Sequence, residues 1–147
     1  MPSFGNTSLR RLDECHDDIQ VVFDAAIAVV DCTILCGHRG EEEQNEAFAS
    51  GNSQVEFPLS THNVIPSDGV DASPYPIPDR WGDIDMNARF CDIEHQMKER
   101  HKFYALAGTI LGIASVLGIK IRWGGDWDGD GDFNDQSFDD LVHYERG

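Results

Sequence analysis

The stretch ALAGTILGIASVLGIKIRWGGDWDGDGDFNDQSFDDLVHYE, residues 105–145, decides how the chain folds. Its first half continues a helical pattern that starts near Ala88 and closes at Gly118, as one long helix or two in succession. Ile119 to Trp123 then alternates apolar and polar residues, the period of a half-buried strand. An aspartate-rich loop follows, and Leu141 to Glu145 can form another strand behind it. Upstream, Leu9, Leu12, Ile19, Val22, Phe23, Ala26, Ile27 and Val30 recur at three- and four-residue steps, which predicts an amphipathic helix capped by Thr7 or Ser8. Asp31 to Gly37 reads as a strand that delivers His38 and Arg39 to its end. Glu41 to Ser50 reads as a short helix, with three acids in its first turn and Gly51 behind it. Asn52 to Pro66 is mostly loop, and Gly69 to Ser73 is a brief strand that Pro74 and Pro76 end. With no regular βαβ alternation, these elements predict an α+β fold: a small antiparallel sheet with flanking helices.

A chain of 147 residues has room for one domain, residues 1–147, and little beyond it. Its hydrophobic content of 40% suffices for a core. The longest apolar stretch, Ala105 to Ile119, is too short to cross a bilayer, so membrane insertion is not expected. Met1 to Arg11 is polar and reads as no secretory leader, which places synthesis in a cytoplasm. Against 27 acidic residues stand 11 basic ones, a net charge of −16. Such a field repels phosphates and anionic lipid and disfavours nucleic acid as a partner. Without a leader, Cys15, Cys32, Cys36 and Cys91 are not expected to form a disulfide framework. Cys32 and Cys36, in an apolar run, read as small buried hydrophobes.

Six histidines are candidates for chemistry, and their neighbours separate them. His16, His95 and His101 fall within helical patterns beside charged residues. His62 lies in the loop that leads to Asp71, and His143 follows Asp140 by three residues. Two imidazoles and one carboxylate (His62, His143 and Asp71) make the three-ligand set of a hydrolytic zinc site, with a fourth position left for water. Asp140 is then a carboxylate placed to take a proton. Ordinary surface or core histidines are the alternative reading of the same residues. Separately, Asp126-x-Asp128-x-Asp130-Gly131 with Asp132 reproduces the first half of an EF-hand-type loop, yet Ser137 stands where a bidentate Glu belongs. A calcium-binding loop and a solvated acidic rim both fit that pattern.

The Ser60-x-His62 … Gly69-Val70-Asp71 segment and the late Asp140-x-x-His143 resemble the zinc motifs of the D-alanyl-D-alanine carboxypeptidase/L-alanyl-D-glutamate peptidase family, in which phage endolysins are well represented. Pro66-Ser67, Pro74-Tyr75-Pro76, Leu117-Gly118-Ile119, the run from Arg122 to Trp127 and Arg39 extend the likeness from about Leu9 to the C-terminus. The resemblance implies a hedgehog/D-Ala-D-Ala peptidase-like fold with its zinc site at the sheet face. It implies His62, Asp71 and His143 as zinc ligands, Asp140 as general base, and Arg39 as a cationic partner for the substrate carbonyl or the developing oxyanion. An ion pair of Arg39 with Glu41, Glu42 or Glu43 is the plainer alternative. Ser60 would support a ligand or the substrate, or simply cap its loop. Tyr144-Glu145 stands where the carboxypeptidases carry Trp-His, which favours the endopeptidase branch. The expected protein is a monomeric zinc peptidase that cuts peptidoglycan stem peptides between L-alanine and D-glutamate. As a phage lysis enzyme it would pass from the host cytoplasm to the cell wall through a holin-made lesion. The alternatives are a D-alanyl-D-alanine carboxypeptidase or dipeptidase, and a non-catalytic module of the same fold that binds calcium or wall peptide.

Overall fold

The N-terminal periodic segment folds as two helices, α1 (Asn6–Asp13) and α2 (Asp17–Ile27), in a computed structural model that describes residues 1–79 and 82–147. The expected single helix breaks because long-range backbone bonds displace local ones. His16 N donates to Ser67 O at 2.9 Å, and Ser67 N donates to Glu14 O at 2.8 Å. No Gly or Pro marks that break in the sequence. His16 caps α2, its Nδ1 accepting from Asp18 N at 3.1 Å. The capping expected of Thr7 or Ser8 is not realised: Gly5 is the cap residue of α1. Ser8 is buried instead, with its hydroxyl 3.0 Å from Thr33 Oγ1 and accepting from Ile34 N at 3.0 Å.

The remaining elements are β1 (Cys32–Cys36), α3 (Glu41–Ala49), a 3₁₀ turn (Thr61–Asn63), β2 (Gly69–Pro74), α4 (Phe90–Leu117), β3 (Ile121–Gly124) and β4 (Asp140–Arg146). The long apolar pattern is one helix, α4. It stops at Gly118, whose φ of 71° is left-handed, and Ile119 N donates back to Ala114 O at 2.9 Å. Ile119 therefore belongs to the helix stop, and β3 starts two residues later than the alternation suggests.

The strands pair in the order β1-β2-β4-β3, antiparallel throughout. One sheet face is dry: Val70, Ala72 and Tyr144 join Ile19, Val22 and Phe23 of α2 and Phe103, Leu106 and Ile110 of α4 in a single core. Phe23 meets Tyr144 edge-on, with ring centroids 5.7 Å apart. Side chains alternate along a strand, so burying Val70, Ala72 and Tyr144 turns Asp71, His143 and Glu145 to the opposite face. The helices leave that face uncovered, and it carries the site. Among the described residues, no helix is long and apolar enough to cross a membrane.

Candidate active site

Strand register does most of the assembly. Asp71 of β2 stands directly opposite His143 of β4, and Cys36 of β1 stands opposite Asp71. Opposed residues on one face of antiparallel strands bring their side chains within contact reach. His62 arrives from the 3₁₀ turn, which Ser60 opens: its hydroxyl accepts from His62 N at 3.2 Å, and Asn63 returns a bond to Ser60 N at 3.0 Å. Ser60 is thus a cap, and the residue it steadies is His62.

Three donor atoms converge. His62 Nε2 lies 3.1 Å from Asp71 Oδ1 and 3.2 Å from His143 Nδ1, and His143 Nδ1 lies 3.1 Å from the same Asp71 oxygen. The outer nitrogens are already committed. His62 Nδ1 is 2.6 Å from Gly37 O, which can only accept, so that nitrogen carries the hydrogen and Nε2 is left to face the centre. His143 Nε2 is 2.9 Å from Glu145 Oε2, which leaves His143 Nδ1 facing the centre in the same way. Two imidazole lone pairs and a carboxylate pointed at one another repel unless a cation lies among them. A tetrahedral ion with bonds of about 2.0–2.1 Å holds its ligand atoms roughly 3.3 Å apart, and the observed triangle matches. His62, Asp71 and His143 can hold a metal ion, and the donor set suits zinc.

Without metal, protons take the cation's place. Burial lowers the pKa of His62, but hydrogen bonds with Asp71 and Cys36 outweigh it and lift the value to about 10. Burial likewise opposes protonation of His143, and bonds to Asp71 and Glu145 raise it to about 9. Asp71 is held well below the usual carboxylate range, its burial overcome by hydrogen bonds from His143 and His62. Glu145 is pulled down to about 2 in the same manner, against its burial, by His143 and Arg122.

Asp140 lines the same cleft, of about 680 Å³, together with Arg39, Arg122, Trp127 and the three convergent residues. Its pKa is raised, by burial first and then by the neighbouring Asp71 charge. The adjacent Asp139 is taken by an ion pair with Arg100 of α4, whereas the Asp140 charge interacts with Asp71, His143, His62 and Arg39. Gly124 makes room for it: a Cβ there would fall 2.2 Å from Asp140 O. Arg39 does not pair with Glu41, Glu42 or Glu43. Its Nη2 is 3.5 Å from Asp71 Oδ2, and its Nη1 donates to Gln44 Oε1 at 3.1 Å. Cys32 is buried as expected, whereas Cys36 is only half-buried and accepts from Arg39 Nη2 at 3.7 Å. Cys36 belongs to the rim of the site because the β1 bulge between Ile34 and Cys36 shifts it into register with Asp71.

Glu145 and Trp127 are members of the site that sequence reasoning assigned no role. Glu145 follows His143 by two residues on a strand, which puts both on one face, and that spacing was a usable signal. Trp127 lies against His143, with ring centroids 5.8 Å apart, and the Arg122 guanidinium sits 5.5 Å from the Trp127 ring centre. In the acidic loop, carboxylate oxygens of Asp126, Asp128 and Asp130 come within 4.8 Å of one another and can hold an ion. Asp132 stands outside that group. Backbone donors already serve these carboxylates: Gly129 N and Gly131 N to Asp126, Asp130 N to Asp128, and Asp132 N to Asp130.

Residues 2–145 match the family model described as phage L-alanyl-D-glutamate peptidase. The chain is 30% identical over 135 residues to the L-alanyl-D-glutamate peptidase of Escherichia phage T5, covering 90% of this chain and 87% of that protein. Its fold is similar to the crystal structure of the Serratia marcescens L-Ala D-Glu endopeptidase ChiX, with a TM-score of 0.67 and 20% identity over 99% of this chain and 90% of that one.

Proposed function

This chain belongs to the phage L-alanyl-D-glutamate peptidase family, and on that premise we propose that it is a zinc-dependent peptidoglycan peptidase that cleaves the stem peptide between L-alanine and D-glutamate in host lysis. The observation that carries the zinc reading is the triangle of donor atoms on His62, Asp71 and His143, whose outer nitrogens are already bound. When bound, zinc supplies a Lewis acid and lowers the pKa of water towards neutrality. Asp140, which lines the same cleft, takes a proton from the attacking water and returns it to the leaving D-glutamate amine. Its raised pKa suits that double duty, because a base that must later act as an acid works best near the operating pH. Arg39, beside Asp71 at the cleft wall, donates to the carbonyl oxygen as negative charge develops on it. Ser60 and Glu145 hold His62 and His143 in the orientation that metal binding requires.

A single domain over residues 1–147 that reaches the wall by way of a holin-made lesion completes this reading. Metal analysis with digestion of defined muropeptides tests it. The expected result is about one zinc per chain and fragments ending in L-alanine; release of D-alanine, or no cleavage by zinc-loaded protein, overturns it. Calcium at Asp126, Asp128 and Asp130 is a separate proposal, and a flat response of activity to calcium at fixed zinc removes it.

A further inference from the structure

We propose that Arg122 recognises the free carboxylate of the substrate's D-glutamate and so sets the preference for an acidic residue after the scissile bond. The inference rests on the L-alanyl-D-glutamate reading above. A glutamate within a peptide carries two carboxyl groups, one linked onward and one free, so the leaving half of this substrate is an anion close to the reacting amide. The cleft it enters is acidic, lined by Asp71, Asp139, Asp140 and Glu145 on a chain of net charge −16. A carboxylate entering there needs a cation with donors to spare.

Arg39 and Arg122 are the basic residues lining the cleft among the described residues. Arg39 is the one assigned above to the substrate carbonyl, and it is the less open of the two: its side chain is 17% exposed, one terminal nitrogen serves Gln44, and the other serves Asp71 and Cys36. Arg122 differs on each count. Its side chain is 49% exposed, and both of its bonds, from Nε and Nη2, go to a single oxygen of Glu145. Its Nη1 has no hydrogen-bond partner among the described residues. The guanidinium is also fixed in place, with Trp127 against it and Glu145 behind it, so little side-chain freedom is lost when an anion binds. Trp127 and Glu145 both touch His143, which keeps the anchor beside the reacting centre.

Two peptides test this: N-acetyl-L-Ala-D-Glu extended through its γ-carboxyl with the α-carboxylate free, and the same peptide with that group as the carboxamide. Zinc-loaded wild type is expected to favour the carboxylate about ten- to a hundredfold in kcat/KM, carried by KM, the range of one charge-assisted bond. Arg122→Gln is expected to bring the two peptides within about twofold of each other, and Arg122→Lys to keep a reduced preference. Zinc content and far-UV circular dichroism are measured on each variant. If Arg122→Gln does not fold or load zinc, the Lys variant carries the test. An equal loss on both peptides means that Arg122 acts only by way of Glu145 and His143, and overturns the proposal, as does a Lys variant with undiminished preference. Wild type that cleaves both peptides equally well overturns the proposal and leaves the peptidase reading standing. Wild type that cleaves neither removes both.

Discussion

Replacing Glu145 by Ala takes the acceptor from His143 Nε2 and leaves Thr61 Oγ1, at 3.4 Å, as the nearest remaining partner. Glu145 is buried and ionised, so the bond it makes is of the charge-assisted kind, worth about 1.5–3 kcal/mol. At roughly 1.4 kcal/mol per factor of ten, its loss predicts zinc binding weaker by about ten- to a hundredfold, the range found for partners of metal-bound histidines elsewhere. A second effect has the same sign. With Glu145 gone, the Arg122 guanidinium loses its counter-charge and adds repulsion near the cation. Glu145→Gln keeps an acceptor and loses the charge, so its deficit falls at the lower end of that range. Competition with a chromophoric chelator at pH 7.5 reads the affinity directly, with Glu94→Ala, an exposed helix residue, as the control. If Glu145→Ala binds zinc within twofold of wild type, the second nitrogen of His143 does not govern how the first one binds, and the reasoning fails.

Further outcomes follow from the same geometry. Asp140→Asn is expected to retain zinc and lose hydrolysis, whereas His143→Ala loses both; zinc content measured beside activity checks this. Because the folded protein raises the Asp140 pKa above its ordinary 3.8, the carboxylate costs stability increasingly as pH rises through that interval, and fully above it. Metal-free Asp140→Asn at pH 7 should therefore melt higher, by about 2–4 °C for each ~1 kcal/mol relieved, and a lower Tm contradicts the assignment. His62 at about 10 and His143 at about 9 are both protonated in metal-free protein at pH 7, so zinc uptake should expel about two protons and weaken as pH falls. Calorimetry in buffers of different ionisation enthalpy counts them, and a count near zero refutes it. The Tyr144 hydroxyl is buried with no hydrogen-bond partner among the described residues. Tyr144→Phe should be neutral or stabilising by about 1 kcal/mol in urea unfolding, and a clear loss of stability would show that the hydroxyl is satisfied.

Much of this architecture is legible in local pattern. Gly118 announces the end of α4, Glu41 to Glu43 the start of α3, and Pro74 the end of β2, because each acts on the backbone within a turn of its own position. The break at Cys15 was not legible, since the bonds that cause it come from Ser67, 52 residues away by the numbering. Cys36 shows the same limit: composition makes it a small hydrophobe, and a one-residue bulge places its sulfur beside Arg39.

The site divides along the same line. Residue types alone supply two imidazoles, a carboxylate and a neighbouring acid, and hence the class of metal they suit, because ligand chemistry belongs to the side chain wherever it sits. Pairing supplies the rest. Antiparallel register sets Asp71 against His143 across a gap of 72 positions, and the two-residue strand repeat aligns Glu145 with His143. Which nitrogen of each imidazole faces inward depends on Gly37 O and Glu145, neighbours that only folding provides. The same holds for which arginine is shared among several partners and which serves one carboxylate, and for which aspartate an ion pair takes, since all are settled by the partners that packing brings within 4 Å.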